Sequence, residues 1–232
     1  MRRRPVRLFW GLLLYCLALG ALGAELHRHE VMVEGHPIRV WEKAPAQAGP
    51  SVLLLHGLTW STRPNFDLQV PGETLSLMDG LNQHGIRAFG MDQRGYGETP
   101  RDASGWLDPA KAARDVIGVL TLMATQHPGA PAPSLFGWFL GAALAQMVVK
   151  QRADLVSGLV VFGYPVRPGF DRDPDGVAGE PVGSANTADA AASDYIVPGA
   201  NSGPAVEAYV AAALAADPVK VDWRGRSHWQ LL

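Results

Sequence analysis

Cysteine is almost missing from this 232-residue sequence: Cys16 is the single one. It lies inside an apolar N-terminal run, so a chain processed beyond that run can form no disulfide. An excess of either charge is missing too. With 20 Lys and Arg against 22 Asp and Glu, a net charge of −2 and an isoelectric point near 6.4, the sequence has no basic footprint, and nucleic acid is not an expected partner. No internal repeat occurs. No metal and no cofactor is expected.

The apolar run that is present spans Leu8 to Leu22, follows Arg2, Arg3, Arg4 and Arg7, and ends at the small residues Gly23 and Ala24. That order, basic then apolar then small, is the layout of a secretory signal peptide, with cleavage expected after Gly23 or Ala24. The chain is then exported to a periplasm or the medium, with no stable membrane contact once the signal is removed. The competing reading is an uncleaved N-terminal anchor, which the length of the run just permits.

What remains is large enough for one α/β domain: 47% of residues are hydrophobic and 18% charged, ordinary for a globular core. Val31, Val33, Ile38 and Val40 alternate with polar residues about Glu34-Gly35-His36-Pro37, which predicts an antiparallel hairpin. Ser51 to His56, Ile86 to Met91, Leu135-Phe136 and Leu159 to Phe162 are short apolar runs suited to strands of a parallel sheet buried on both faces. Between them lie helical patterns. One carries Leu75, Leu77, Met78 and Leu81 and closes at His84-Gly85; another starts at Asp108-Pro109 and carries Ala112, Val116, Val119, Leu120 and Met123. The alternation predicts a mostly parallel sheet with crossover helices. Beyond Pro165 the composition shifts to Pro, Gly, Asp and Ala, with helices expected at Ala188 to Tyr195 and Ser202 to Asp217. The expected organisation is a leader over 1–24, an α/β core over 25–164 and a cap or lid over 165–232, in which Phe170, Tyr209, Trp223 and Trp229 seek burial.

The stretch Gly137-Trp138-Phe139-Leu140-Gly141 joins a strand to a helix whose apolar positions are Leu140, Leu144, Met147 and Val148. Glycines two residues either side of the central position suit a strained strand-to-helix turn, where side chains would meet backbone. In the nucleophile elbow such a turn presents a serine. Here the central residue is Phe139, which has no oxygen to deprotonate and cannot form an acyl-enzyme. Taken alone, the stretch also reads as a glycine-bounded strand end on a small-residue helix.

With Leu53-Leu-Leu-His-Gly57, Met91-Asp-Gln-Arg-Gly-Tyr-Gly97 and Leu135-Phe-Gly-Trp-Phe-Leu-Gly141 in this order, the chain resembles the α/β-hydrolase superfamily, in particular its capped esterase, lipase and epoxide-hydrolase-like branch. The resemblance implies an α/β-hydrolase-type fold with a C-terminal cap, lacking the last strands. It puts the backbone N–H groups of Leu58 and Leu140 in an oxyanion hole, gives His56 a structural role beside Gly57, and has Asp92 and Arg94 brace the loop after their strand; the plainer reading of those two residues is a satisfied ion pair. It also puts the triad acid and histidine after the cap, and the sequence reaches Leu232 before either could appear. Thr59 and Ser61 lie near the implied oxyanion site, but neither His127, at a helix end, nor His228 is placed as a base by a motif. The expectation is a relative of serine hydrolases of small apolar esters that is itself inactive. The alternative is a pseudoenzyme that still binds a small apolar molecule. A bare Leu159 to Phe162 edge is expected to promote self-association.

Overall fold

The computed structural model describes residues 24–47, 49–57, 59–104, 106–126, 129–164, 186–193, 195, 197 and 199–217. Residues 1–23 of the leader, Leu58, His127, Phe170, Trp223, His228 and Trp229 fall outside them. Six strands form one sheet: β1 (Leu26–Val33), β2 (His36–Lys43), β3 (Ser51–Leu55), β4 (Arg87–Met91), β5 (Ser134–Trp138) and β6 (Gly158–Phe162). Their order across the sheet is β1-β2-β4-β3-β5-β6. The first two pairings are antiparallel, and β4, β3, β5 and β6 run parallel. This is the mostly parallel α/β sheet that the apolar runs predict.

The hairpin turns at Glu34 and Gly35, with φ of 49° and 77°. A two-residue turn with both φ positive matches the twist of the strands it joins. Helices α3 (Pro109–Gln126) and α4 (Leu140–Arg152) cover one sheet face, where Leu53, Leu55, Leu135, Val116 and Leu144 are buried together. On the other face α1 (Thr62–Phe66) and α2 (Leu77–Gln83) bring Phe66 and Met78 onto Trp41, Val52 and Leu54. Two further helices, α5 (Ala188–Ala192) and α6 (Gly203–Ala216), gather Ala191, Tyr209 and Ala213 around Trp60, and α6 packs on α1.

Three features differ from the sequence reading. The Ser76 hydroxyl accepts the Asp79 N–H at 3.0 Å, so α2 starts at Leu77 and Leu75 precedes it. Leu75 and Leu77 are exposed, and Met78 alone is fully buried. Helix α1, five residues around Pro64, has too little length to show a period. Strand β6 is not a buried strand: Leu159, Val160 and Phe162 are 39%, 48% and 60% exposed. Its apolar composition matches a central strand, but among the described residues β5 is its only strand partner.

Candidate active site

The carboxyl ends of β3, β4 and β5 meet where an open parallel sheet puts its ligand sites. The elbow between β5 and α4 is built from close approach. A Cβ on Gly137 would lie 2.4 Å from the Gly141 carbonyl oxygen, and one on Gly141 would lie 2.3 Å from that of Leu55. Only glycine fits either position. Between them Phe139 adopts φ 53° and ψ −120°, a conformation that costs a side-chain-bearing residue on the order of 1–3 kcal/mol. Its N–H donates to the Phe162 carbonyl at 2.9 Å, which ties the bend to β6. Its side chain lies against Gly57, where an added Cβ would meet Phe139 Cβ at 3.1 Å. Two residues beyond Gly57, Thr59 also has a positive φ, 84°. Leu140 begins α4, and its N–H belongs to the first turn, where amides have no intrahelical partner. Leu58, implied as the other oxyanion donor, lies outside the described residues.

His56 is fully buried. Its Nε2 accepts the Gln93 N–H at 3.0 Å, and its Nδ1 lies 2.9 Å from the Gly57 carbonyl. An amide can only donate and a carbonyl only accept, so these partners set the neutral Nδ1–H tautomer. Both nitrogens are engaged in holding the β3 and β4 ends together, and the Tyr96 ring meets the imidazole edge-on at 5.6 Å.

Asp92 and Arg94 do not form with each other the ion pair that the plainer reading of the sequence expects. The Asp92 carboxylate accepts Trp41 Nε1–H at 2.9 Å, the Thr62 N–H at 2.9 Å and the Glu98 N–H at 3.1 Å. It therefore caps α1 from another element, since Ser61 makes no side-chain cap. Burial raises its pKa against the pull of those donors. Gly97, at φ 56°, leaves it room: a Cβ there would stand 2.3 Å from Asp92 Oδ2. Arg94 turns the other way and forks onto Asp115, with Nε and Nη2 at 2.9 and 2.6 Å, while Nη1 reaches Asp102 at 2.7 Å. Burial lowers the guanidinium pKa, but these hydrogen bonds outweigh it and the net shift is upward. Asp115 and Trp41 were missed by motif reading. An acidic residue on the apolar stripe of α3, next to Val116, was the available signal for Asp115.

Two hollows adjoin this region. A groove of about 460 Å³ lies between Trp41, Arg63, Asp92, Glu98 and the alanine face of α6. A cleft of about 290 Å³ lies between Pro64, Asn65, Trp138, Tyr195 and Tyr209. Among the described residues no group of His, Cys, Asp or Glu could hold a metal ion, and no helix is long and apolar enough to cross a membrane.

Residues 47–179, more than half of the chain, match the family described as serine aminopeptidase, S33. No curated protein matches. Among solved structures, an epoxide hydrolase from Vigna radiata (VrEH1) is similar at 25% identity over 62% of this chain and 42% of its own, with a TM-score of 0.48. An epoxide hydrolase from an endophytic Streptomyces is similar at 24% identity over 63% and 39%, with a TM-score of 0.48. A highly thermostable carboxyl esterase from Bacillus coagulans follows at 17% identity over 59% and 43%, with a TM-score of 0.47. The chain thus spans about two fifths of the length of these proteins.

Proposed function

Because the chain belongs to the α/β-hydrolase superfamily, matching the serine aminopeptidase S33 family over more than half its length, we propose that it is a relative of hydrolases of small apolar esters in which the covalent serine step has been removed. One observation carries this reading: the elbow retains its strained geometry, φ 53° and ψ −120°, around a phenylalanine. The bend is a costly conformation that serves to present a nucleophile. With Phe139 there, the ring lies against Gly57. A triad acts as a unit, so loss of its nucleophile alone removes nearly all of its rate.

The test uses the purified chain, its mass verified, with a fluorophosphonate probe and a panel of nitrophenyl esters. Background hydrolysis and no adduct on the peptide holding Phe139 are expected. A mapped adduct or saturable turnover sinks the proposal.

A second reading, a ligand-binding pseudoenzyme, is supported by the cleft beside Trp138. A ligand that binds only the folded chain raises its melting temperature with concentration. Two further properties belong to the same proposal. The basic, apolar and small-residue order of 1–24 supports export, which N-terminal sequencing of secreted protein tests. The uncharged, half-exposed edge strand β6 supports association with a second copy.

A further inference from the structure

Between α1 and α2 the chain makes a ten-residue excursion, Asp67-Leu-Gln-Val-Pro-Gly-Glu-Thr-Leu-Ser76, and returns to where it left. Ser76 Oγ donates to Asp67 Oδ1 at 2.6 Å, closing the neck. Lys43, at the end of β2, bridges the same neck, with Nζ 2.6 Å from Asp67 Oδ1 on the outgoing limb and 2.6 Å from Asp79 Oδ1 just past the returning one. Gln69 Nε2 repeats that bridge at 2.8 and 2.9 Å. Lys43, Asp67 and Ser76 are buried, and charge-assisted bonds held away from water are the strong ones. A compact surface loop with clasped ends is an Ω-loop.

Its tip is held far more lightly. Pro71 and Gly72, the latter at φ 82°, form the centre of a turn that the Glu73 N–H closes on the Val70 carbonyl at 3.1 Å, the type II arrangement. Val70 is buried, but Pro71, Gly72, Thr74 and Leu75 are exposed. The tip reaches the cap through one described bond: the hydroxyl of Ser202, the N-cap of α6, donates to Glu73 Oε1. The same hydroxyl accepts the Ala205 N–H at 3.1 Å, so the carboxylate that orients it also supports the start of α6. A segment with little buried apolar surface opens at a lower free energy than the core. Leu75 gives such opening a consequence. It lines both the cleft beside Trp138 and a third hollow, of about 660 Å³, between α2 and Ala44-Pro45-Ala46, and so belongs to the wall they share.

We propose that residues 70–75 are a gate, hinged at the neck that Lys43 holds and latched to the cap by Glu73 and Ser202. When the tip lifts, Glu73 parts from Ser202, Val70 comes into water and Leu75 leaves the shared wall. Opening loosens the first turn of α6 and leaves the sheet and α2 intact. The gate needs no ligand and no chemistry at the elbow.

Thiol labelling of the full chain with Cys16→Ser, carrying one new cysteine at a time, reads each part. Val70→Cys should label at least about a hundredfold faster than Met78→Cys, because Met78 is fully buried beyond the neck and is reached only when the fold opens. Adding Glu73→Ala should speed Val70→Cys about tenfold, the weight of one hydrogen bond to a charged group. It should speed Ala205→Cys, in the first turn of α6, by a similar factor and leave Met78→Cys unchanged. Equal labelling of Val70→Cys and Met78→Cys means the loop opens only with the whole fold, and overturns the gate. Fast labelling of Val70→Cys that ignores Glu73→Ala, or an Ala205→Cys that ignores it, overturns the latch. Thermolysin on the unsubstituted chain covers the case in which a cysteine variant fails to fold. Cleavage before Val70 or Leu75 should keep its rate in dilute urea, as local opening does, whereas cleavage that rises with urea as global unfolding does overturns the gate.

Discussion

On the flank of the sheet formed by β1, β2 and β4, buried charges are matched group by group. Trp41 holds Asp92, Lys43 Nζ stands 2.6 Å from both Asp67 and Asp79, and Arg94 bridges Asp102 and Asp115. On the β5 and β6 flank the ion pair described, Arg152 with Asp154, is local and on the surface. There Phe136 packs against Phe66 at 5.9 Å and Phe162 at 6.3 Å, the elbow bends at Phe139, and the edge is exposed. The first flank is specified by directional pairs, each of which fails if one member is lost. The second is specified by shape and apolar contact, which degrade by degrees.

The largest break in this contrast should come from Arg94→Ala. It leaves Asp115 buried and unpaired, and removing one partner of a buried pair costs about 3–5 kcal/mol. Urea unfolding of the variant should show that loss, and Arg94→Lys should recover only part of it because an ammonium cannot fork. A loss below about 1 kcal/mol, the range of surface pairs, would dissolve the contrast. The shape-specified flank is tested by Gly137→Ala, whose Cβ would meet backbone at 2.4 Å. Overpacking of this kind costs about 1–3 kcal/mol. No comparable loss is expected from Gly80→Ala, where a Cβ meets nothing within 4 Å.

Acid should weaken the two flanks unequally. Burial pulls the Asp102 pKa up, but bonds from Ser104, Arg94 and Lys111 outweigh it and hold the carboxyl well below its ordinary value. A carboxyl held down in the folded chain contributes stability above its unfolded pKa, near 3.9, and loses it as pH falls further. Asp92, raised by burial, has the opposite sign: its contribution is present in acid and lost as pH climbs through its folded pKa. The contribution of Asp102 should therefore be lost as pH is taken downward from 5, against the opposite trend of Asp92, and Asp102→Asn should flatten the decline in melting temperature that it causes. An unchanged acid limb would remove Asp102 as its source.

The same division decides what the sequence made legible. Continuous apolar runs announced β3 and β4, because a strand buried on both faces has no polar alternation to confuse the reading. The elbow was legible because two glycines at fixed spacing have one steric cause. Pairings across long sequence distances were not. Asp92 and Arg94 are two residues apart and look like partners, yet the turn after Met91 sends one to Trp41 and Thr62 and the other to α3. For β6 composition reports what a strand could bury, while its place in the sheet decides what it does bury: the apolar run reads as a buried strand, yet among the described residues it is the bare edge that was also expected. The cleft was invisible, since Asn65, Trp138 and Tyr209 meet only when α6 docks on α1.

The smallest stability effect, and the sharpest test of the apolar flank, is Val160→Lys. Val160 is half-exposed and pairs with Phe136 on β5, so a lysine there can reach water without displacing the Phe136 and Phe162 stack. Monomer stability should change by no more than about 0.5 kcal/mol, as for most surface substitutions. Association should respond much more, because an edge strand that pairs with its own copy brings two identical lysines together, and a charge on an edge blocks such pairing. Sedimentation velocity should find the native chain self-associated and the lysine variant monomeric at equal concentration. If both sediment as monomers, the exposed edge is insufficient to hold a partner, and the apolar flank differs from the charged one only in how it folds.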